Sequence, residues 1–93
     1  MTAATFHLIV ASVGNTVYDA AAVSALMPGH SGIFEVLPHH EPFVTTLRAG
    51  EITVRTSLGE TKSFPIDGGV LEVSGNRAVV LRSEEHTSEL QSH

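Results

Sequence analysis

At 93 residues, 42% hydrophobic and 16% charged, the chain has the size and composition of one small folded domain, which argues against a disordered segment. A formal net charge of -5, with Arg48, Arg55, Lys62, Arg77 and Arg82 scattered as the only basic residues, argues against nucleic acid, which attracts clustered cations. With no cysteine a disulfide framework and a thiolate zinc site are excluded, and no apolar run approaches the roughly 18 residues of a spanning helix.

Residues 5–12 alternate, with Phe6, Leu8 and Val10 on one face and Thr5, His7 and Ile9 on the other, the period of a strand. Gly14-Asn15 predicts a turn. Val17–Met27 carries alanines that suit a helix, yet it lies between Gly14-Asn15 and Pro28-Gly29 at hairpin spacing. It is therefore predicted as a strand with a bulge. Ile33–Leu37 is a short strand ended by Pro38, which has no N–H for a ladder. Phe43–Leu47 and Glu51–Thr56 follow, the latter with Ile52 and Val54 facing one way and Thr53 and Arg55 the other. After a turn at Leu58-Gly59-Glu60, Thr61–Ile66 contains Pro65 and is predicted at an edge or bulge. Asp67-Gly68-Gly69 leads into Val70–Val73, and Ser74-Gly75-Asn76 into Arg77–Leu81. These add up to about eight to ten short strands with turns at sandwich spacing. The predicted fold is all-β, a small two-sheet antiparallel β-sandwich over residues 1–81.

Residues 82–93, RSEEHTSELQSH, have Leu90 as their one large apolar side chain, so neither a helix stripe nor a strand alternation can form. The string resembles the conceptual translation of a sequencing-library adapter, and it is expected to be a non-native, disordered tail.

The densest concentration of backbone-fixing and exposed polar residues is Pro28–Pro42, PGHSGIFEVLPHHEP, where a Pro-Gly turn precedes a polar knuckle opened by a second proline. Three pieces of the chain, in order, resemble the N-terminal β-domain of the ATP synthase epsilon family (delta in mitochondria). TFHLIVAS is similar to its first strand, LMPGHSGIFEVLPHHEPFVTTLRAG to its LPGxxGxFGVLPGHAPLLTxLxPG block, and DGGVLEVSGNRAVVL to its GGxxEVxxNxVTVL ending. The resemblance implies a flattened sandwich and a non-catalytic, cofactor-free subunit of the central stalk of a proton-translocating ATP synthase. It implies two partners, the gamma subunit and the ring of c subunits, with membrane association only through the complex at the cytoplasmic face of the bacterial plasma membrane. It also implies that relatives continue into a C-terminal helical hairpin that restrains ATP hydrolysis, a segment absent from these 93 residues.

Carried over residue by residue, the contact with the c-ring falls on His30, Ser31, Gly32 and Ile33 and on His40, Glu41 and Pro42, and a gamma-side contact on Phe43 and Val44. The chain departs from the family pattern at Glu35 and His39, where the family has Gly, and at Glu41, where it has Ala. Histidine is among the few types that visit φ > 0, so the knuckle is expected to survive His39 with modest strain. An alternative class is a small metal-binding β-barrel enzyme or ligand-binding domain using His39, His40 and Glu41. Adjacent residues on an extended chain point to opposite sides, which disfavours both imidazoles on one ion. His7 is expected to be a structural histidine on a strand face, and Asp67-Gly68-Gly69 a turn, because no helix follows it to cradle a phosphate.

Overall fold

The computed structural model describes residues 4–83. They form eight strands: β1 (Phe6–Ser12), β2 (Asn15–Gly29), β3 (Gly32–Val36), β4 (Phe43–Leu47), β5 (Gly50–Thr56), β6 (Thr61–Ile66), β7 (Gly69–Val73) and β8 (Arg77–Arg82). Every expected strand is present, and Pro65 sits on β6 at the end of the sheet, the edge position where a proline is tolerated. β8 runs through Arg82, and the Ser83 N–H donates to the Gly68 carbonyl at 2.8 Å; the remainder of the expected tail, 84–93, lies outside the described residues.

The hydrogen-bonded order is β4-β7-β8-β1-β2-β5-β6, with β3 also paired to β2. The pairings are antiparallel except β1 with β8, which run parallel, so the sheet is mixed. That pair joins the two ends of the fold, an arrangement set by packing across the whole chain and invisible to local alternation.

β2 is the strand that turns this ladder into a sandwich. Its first part pairs with β1 from Asn15 to Ala22, and its last part pairs with β5 and, from Ala25 to Gly29, with β3. Between Ala22 and Ser24 the register with β5 slips, leaving Val23 as the extra residue of a bulge. The slip changes the parity of the buried face: Ala22 is buried, and burial resumes at Ala25 and Met27. The extra residue moves the inward positions from even to odd numbers while the same face of the strand stays buried, so both halves contribute to one core. That core gathers Phe6, Leu8 and Val10 of β1, Val36 of β3, Ile52 and Val54 of β5, Leu71 and Val73 of β7, and Ala78 and Val80 of β8. The rings of Tyr18 and Phe64 close one side of it, 5.7 Å apart.

Candidate functional site

β2 and β3 meet in a tight hairpin in which Pro28 pairs with Ile33 and Gly29 with Gly32, leaving His30 and Ser31 at the tip. Two glycines permit it. Gly32 has φ +131°, and a Cβ on Gly29 would lie 2.8 Å from both the Gly32 carbonyl oxygen and the Phe34 ring. The Arg48 N–H donates to the Pro28 carbonyl at 2.9 Å, tying the hairpin to the segment after β4. At the tip His30, Ser31 and Gly32 are exposed, and Ile33 is 74% exposed.

At the other end of β3 the chain makes the knuckle. The His40 N–H donates to the Leu37 carbonyl at 3.2 Å, with Pro38 and His39 as the central residues and His39 at φ +64°. Proline first and a positive φ second is the pattern of a type II turn. The expected tolerance for histidine in place of glycine is what the backbone displays. Glu35, the other site where the family pattern has Gly, lies in β3 opposite Leu26 and requires no special dihedral. The Nδ1 of His40 donates to the Glu41 carbonyl at 2.8 Å, and Glu41 and Pro42 are exposed.

Hairpin and knuckle are joined by aromatic rings. His40 lies over Phe43 with centroids 4.9 Å apart, and Phe43 meets Phe34 edge-on at 6.0 Å. Between hairpin and β4 runs an open groove of about 390 Å³ lined by His30, Ser31, Ile33, Phe34, Phe43 and Thr45, along with Gly29 and Gly32. The structure therefore brings His30, Ser31, Gly32 and Ile33 together with Phe43, and links His40 to them through that ring. Val44 does not join them. It is 66% exposed and, one residue on from Phe43 along β4, faces the other way. It is opposite Glu72, on the outer face where Val70 and Leu81 are paired and exposed.

The metal-binding alternative finds no support in this geometry. Among the described residues no three His, Asp or Glu side chains gather around one point, and His40 already spends its Nδ1 on a carbonyl. His7 is an exposed strand histidine whose Nε2 meets Asp19 Oδ1 at 2.5 Å across the β1–β2 pair. Sequence reading assigned no site role to Asn76, which it placed in a tight turn and at the Asn of the family's GGxxEVxxNxVTVL ending. Its side chain reaches both the knuckle and the start of β1. Its left-handed backbone, φ +59°, is of a kind the Ser-Gly-Asn sequence hints at, but its partners 37 and 71 residues away have no local signal.

Residues 5–85 match the family model described as ATP synthase, delta/epsilon chain, beta-sandwich domain. The ATP synthase epsilon chain of Chlorobium limicola is 30% identical over 79 residues, covering 85% of this chain and 90% of that protein. That of Alkalilimnicola ehrlichii is 31% identical over 77 residues, 83% of this chain but 55% of the relative, so the chain spans about half of that longer protein. Among solved structures, the fold is similar to a chain of the Euglena gracilis mitochondrial ATP synthase, OSCP/F1/c-ring, with TM-score 0.81 at 18% identity over 99% of this chain and 63% of the other. It is also similar to one of the Tetrahymena thermophila mitochondrial ATP synthase central stalk and c-ring, with TM-score 0.73 at 11% identity, covering 90% and 67%.

Proposed function

This chain belongs to the ATP synthase delta/epsilon family through its β-sandwich domain, and from that membership we propose that it is a non-catalytic rotor subunit that couples the gamma subunit to the c-ring. The observation that carries the proposal is the continuous surface built by the hairpin and the knuckle. Ile33 stands out at the tip, His30 and Ser31 flank it, and the Phe34–Phe43–His40 ring contacts link the hairpin strand to the knuckle. An exposed apolar side chain on a short, glycine-fixed hairpin suits docking against polar loops of a partner, where a rigid anchor loses little entropy on binding. In this reading His30, Ser31, Gly32, Ile33, His40, Glu41 and Pro42 meet the c-ring. Val44, on the outer sheet face, meets the gamma subunit, and Phe43 supports the ring-facing end more than it faces gamma. In a bacterium the subunit works at the cytoplasmic face of the plasma membrane, held there by the complex. No element of the described residues is a helix long and apolar enough to cross a membrane.

The test uses the chain with the gamma subunit and detergent-solubilised c-ring of the same organism. Ile33→Asp is expected to weaken ring binding at least roughly tenfold while gamma binding stays within about twofold, and Val44→Asp is expected to do the reverse. Both positions are solvent-exposed, so neither change should alter thermal stability greatly. Ring binding that survives Ile33→Asp unchanged would sink the assignment of the hairpin.

A further inference from the structure

We propose that Asn76 is the positioning residue that holds the 37–42 knuckle in its docking shape; the inference rests on the reading of that knuckle as part of the c-ring interface. The knuckle belongs to no strand, and its own turn bond, from the His40 N–H to the Leu37 carbonyl, is long at 3.2 Å. Its second central residue is a histidine at φ +64°, a conformation this side chain visits more often than most but still at a cost relative to glycine. A connection with so little local support is free to open unless something else holds it. The Asn76 carboxamide does so: its Oδ1 accepts the His39 N–H at 2.7 Å, and its Nδ2 donates to the Thr5 carbonyl at 2.9 Å.

The clamp stands on firm ground. The Asn76 carbonyl accepts the His7 N–H at 3.2 Å, and the Ser74 N–H donates to the Arg77 carbonyl at 2.9 Å, closing the turn that carries Asn76 into β8. β8 and β1 form the parallel pair at the middle of the ladder, with Leu8, Val10, Ala78 and Val80 buried beneath. A path of contacts thus runs from the core, through Asn76, to His39, and on to the His40 ring lying over Phe43. The chemistry is specific to this residue type. The site needs an acceptor for an amide and a donor for a carbonyl on one short side chain, and the carboxamide supplies them on two separate atoms, where a hydroxyl would have to meet both partners from a single oxygen. It also needs φ > 0, which asparagine adopts more readily than most residues. The two partners, one a donor and one an acceptor, fix which way the amide faces.

Two substitutions separate positioning from mere stability. Asn76→Gly keeps the left-handed backbone and removes both side-chain bonds, whereas Asn76→Asp keeps the acceptor for His39 and loses the donor to Thr5. In Asn76→Gly, amide exchange at His39, followed by NMR on the ¹⁵N-labelled chain, is expected to accelerate at least roughly tenfold, with Leu8 and Val80 amides unchanged. Affinity for the solubilised c-ring with gamma is expected to fall roughly tenfold. Asn76→Asp is expected to keep the His39 amide protected and the affinity within about threefold, a rescue that a purely structural role would not give. Unchanged His39 exchange in Asn76→Gly overturns the clamp, and so does its loss in Asn76→Asp, which also decides the matter should the glycine variant not fold. Faster exchange with unchanged ring affinity, or equal weakening by both variants, overturns the positioning role. Failure of the unsubstituted chain to bind the ring overturns the functional reading of the knuckle and this role together, and the His39 amide result identifies that case by still reporting whether the clamp exists.

Discussion

Gly69 leaves no space for a side chain. A Cβ there would lie 2.4 Å from the Leu81 carbonyl oxygen and 2.9 Å from the Arg82 Cα, both of them backbone atoms of the paired strand β8. Backbone of a ladder cannot swing aside as a flexible side chain can, so Gly69→Ala is expected to destabilise by about 3 kcal/mol in urea unfolding. Gly59→Ala offers the contrast: nothing lies within 4 Å, and only its φ of +87° opposes a side chain, so a loss of about 1 kcal/mol is expected. Equal effects at the two positions would show that steric closeness at Gly69 is relieved by a small ladder shift. Tyr18, the only tyrosine, is another residue whose surroundings set a measurable property. Burial raises its phenol pKa above the ordinary 10.0, and the nearby Glu60 carboxylate adds to the rise. A raised folded value means that the folded state holds the proton more tightly. The contribution to stability is therefore fully present below pH ~10 and is lost as pH rises through the folded pKa. Phenolate absorbance of the folded chain should have its midpoint above that of the urea-unfolded chain, and coincident midpoints would refute the burial argument. Tyr18→Phe should lessen the alkaline fall in stability, at the expense of the bond its hydroxyl donates to the Ala21 carbonyl.

At the scale of elements, β2 is the decisive strand, and its bulge is where sequence reading came closest to failing. The alternation of β1 and β5 is clean because each has one buried face, Phe6-Leu8-Val10 and Ile52-Val54. In β2 the buried positions Ala22, Ala25 and Met27 fit neither period two nor a helical stripe on their own, and alanine says little about which face is inside. A bulge could be anticipated there, though not its place at Val23, because that depends on how β5 approaches. The hairpin and knuckle were legible for the opposite reason: Pro28, Gly29, Gly32 and Pro38 restrict the backbone locally, whatever the rest of the chain does. Which outer residues share a face was not legible, since β4 is apolar at both Phe43 and Val44. Deleting Val23 tests the role of the bulge. The deletion leaves Ala22, Ser24, Ala25, Leu26 and Met27 in simple alternation, so Ala25 and Met27 stay inward and only the local bend and twist of the bulge are lost. The deletion variant is expected to keep a cooperative transition by circular dichroism in urea, destabilised by about 1–2 kcal/mol. Loss of the cooperative transition would mean that the bend at Val23 is itself needed to close the sandwich.

For the molecule as a whole, the parallel β1–β8 pair makes the ends of the chain interdependent. Leu8 and Val10 on β1 are buried beside Ala78 and Val80 on β8, and Leu71 and Val73 of β7 reach the rest of the ladder only through β8. Removing β8 would strip β7 and β4 from the ladder and expose the inner edge of β1, whereas removing an outer strand such as β6 would trim one end. A single core with contributions from every strand also leaves no seam along which one layer could yield before the other, a property suited to transmitting torque with little internal deformation. Two measurements follow from the same connectivity. The full chain should unfold in one step, with far-UV dichroism and Tyr18 emission tracing coincident curves, because Tyr18 reports on the contact with Phe64 while dichroism reports on every strand. A chain stopped after Asn76, lacking β8, should show no cooperative transition. Separate curves in the full chain, or a sharp melt in the shortened one, would mean that the two layers are independent bodies and that force entering at the hairpin could be absorbed within the sandwich before reaching its outer face.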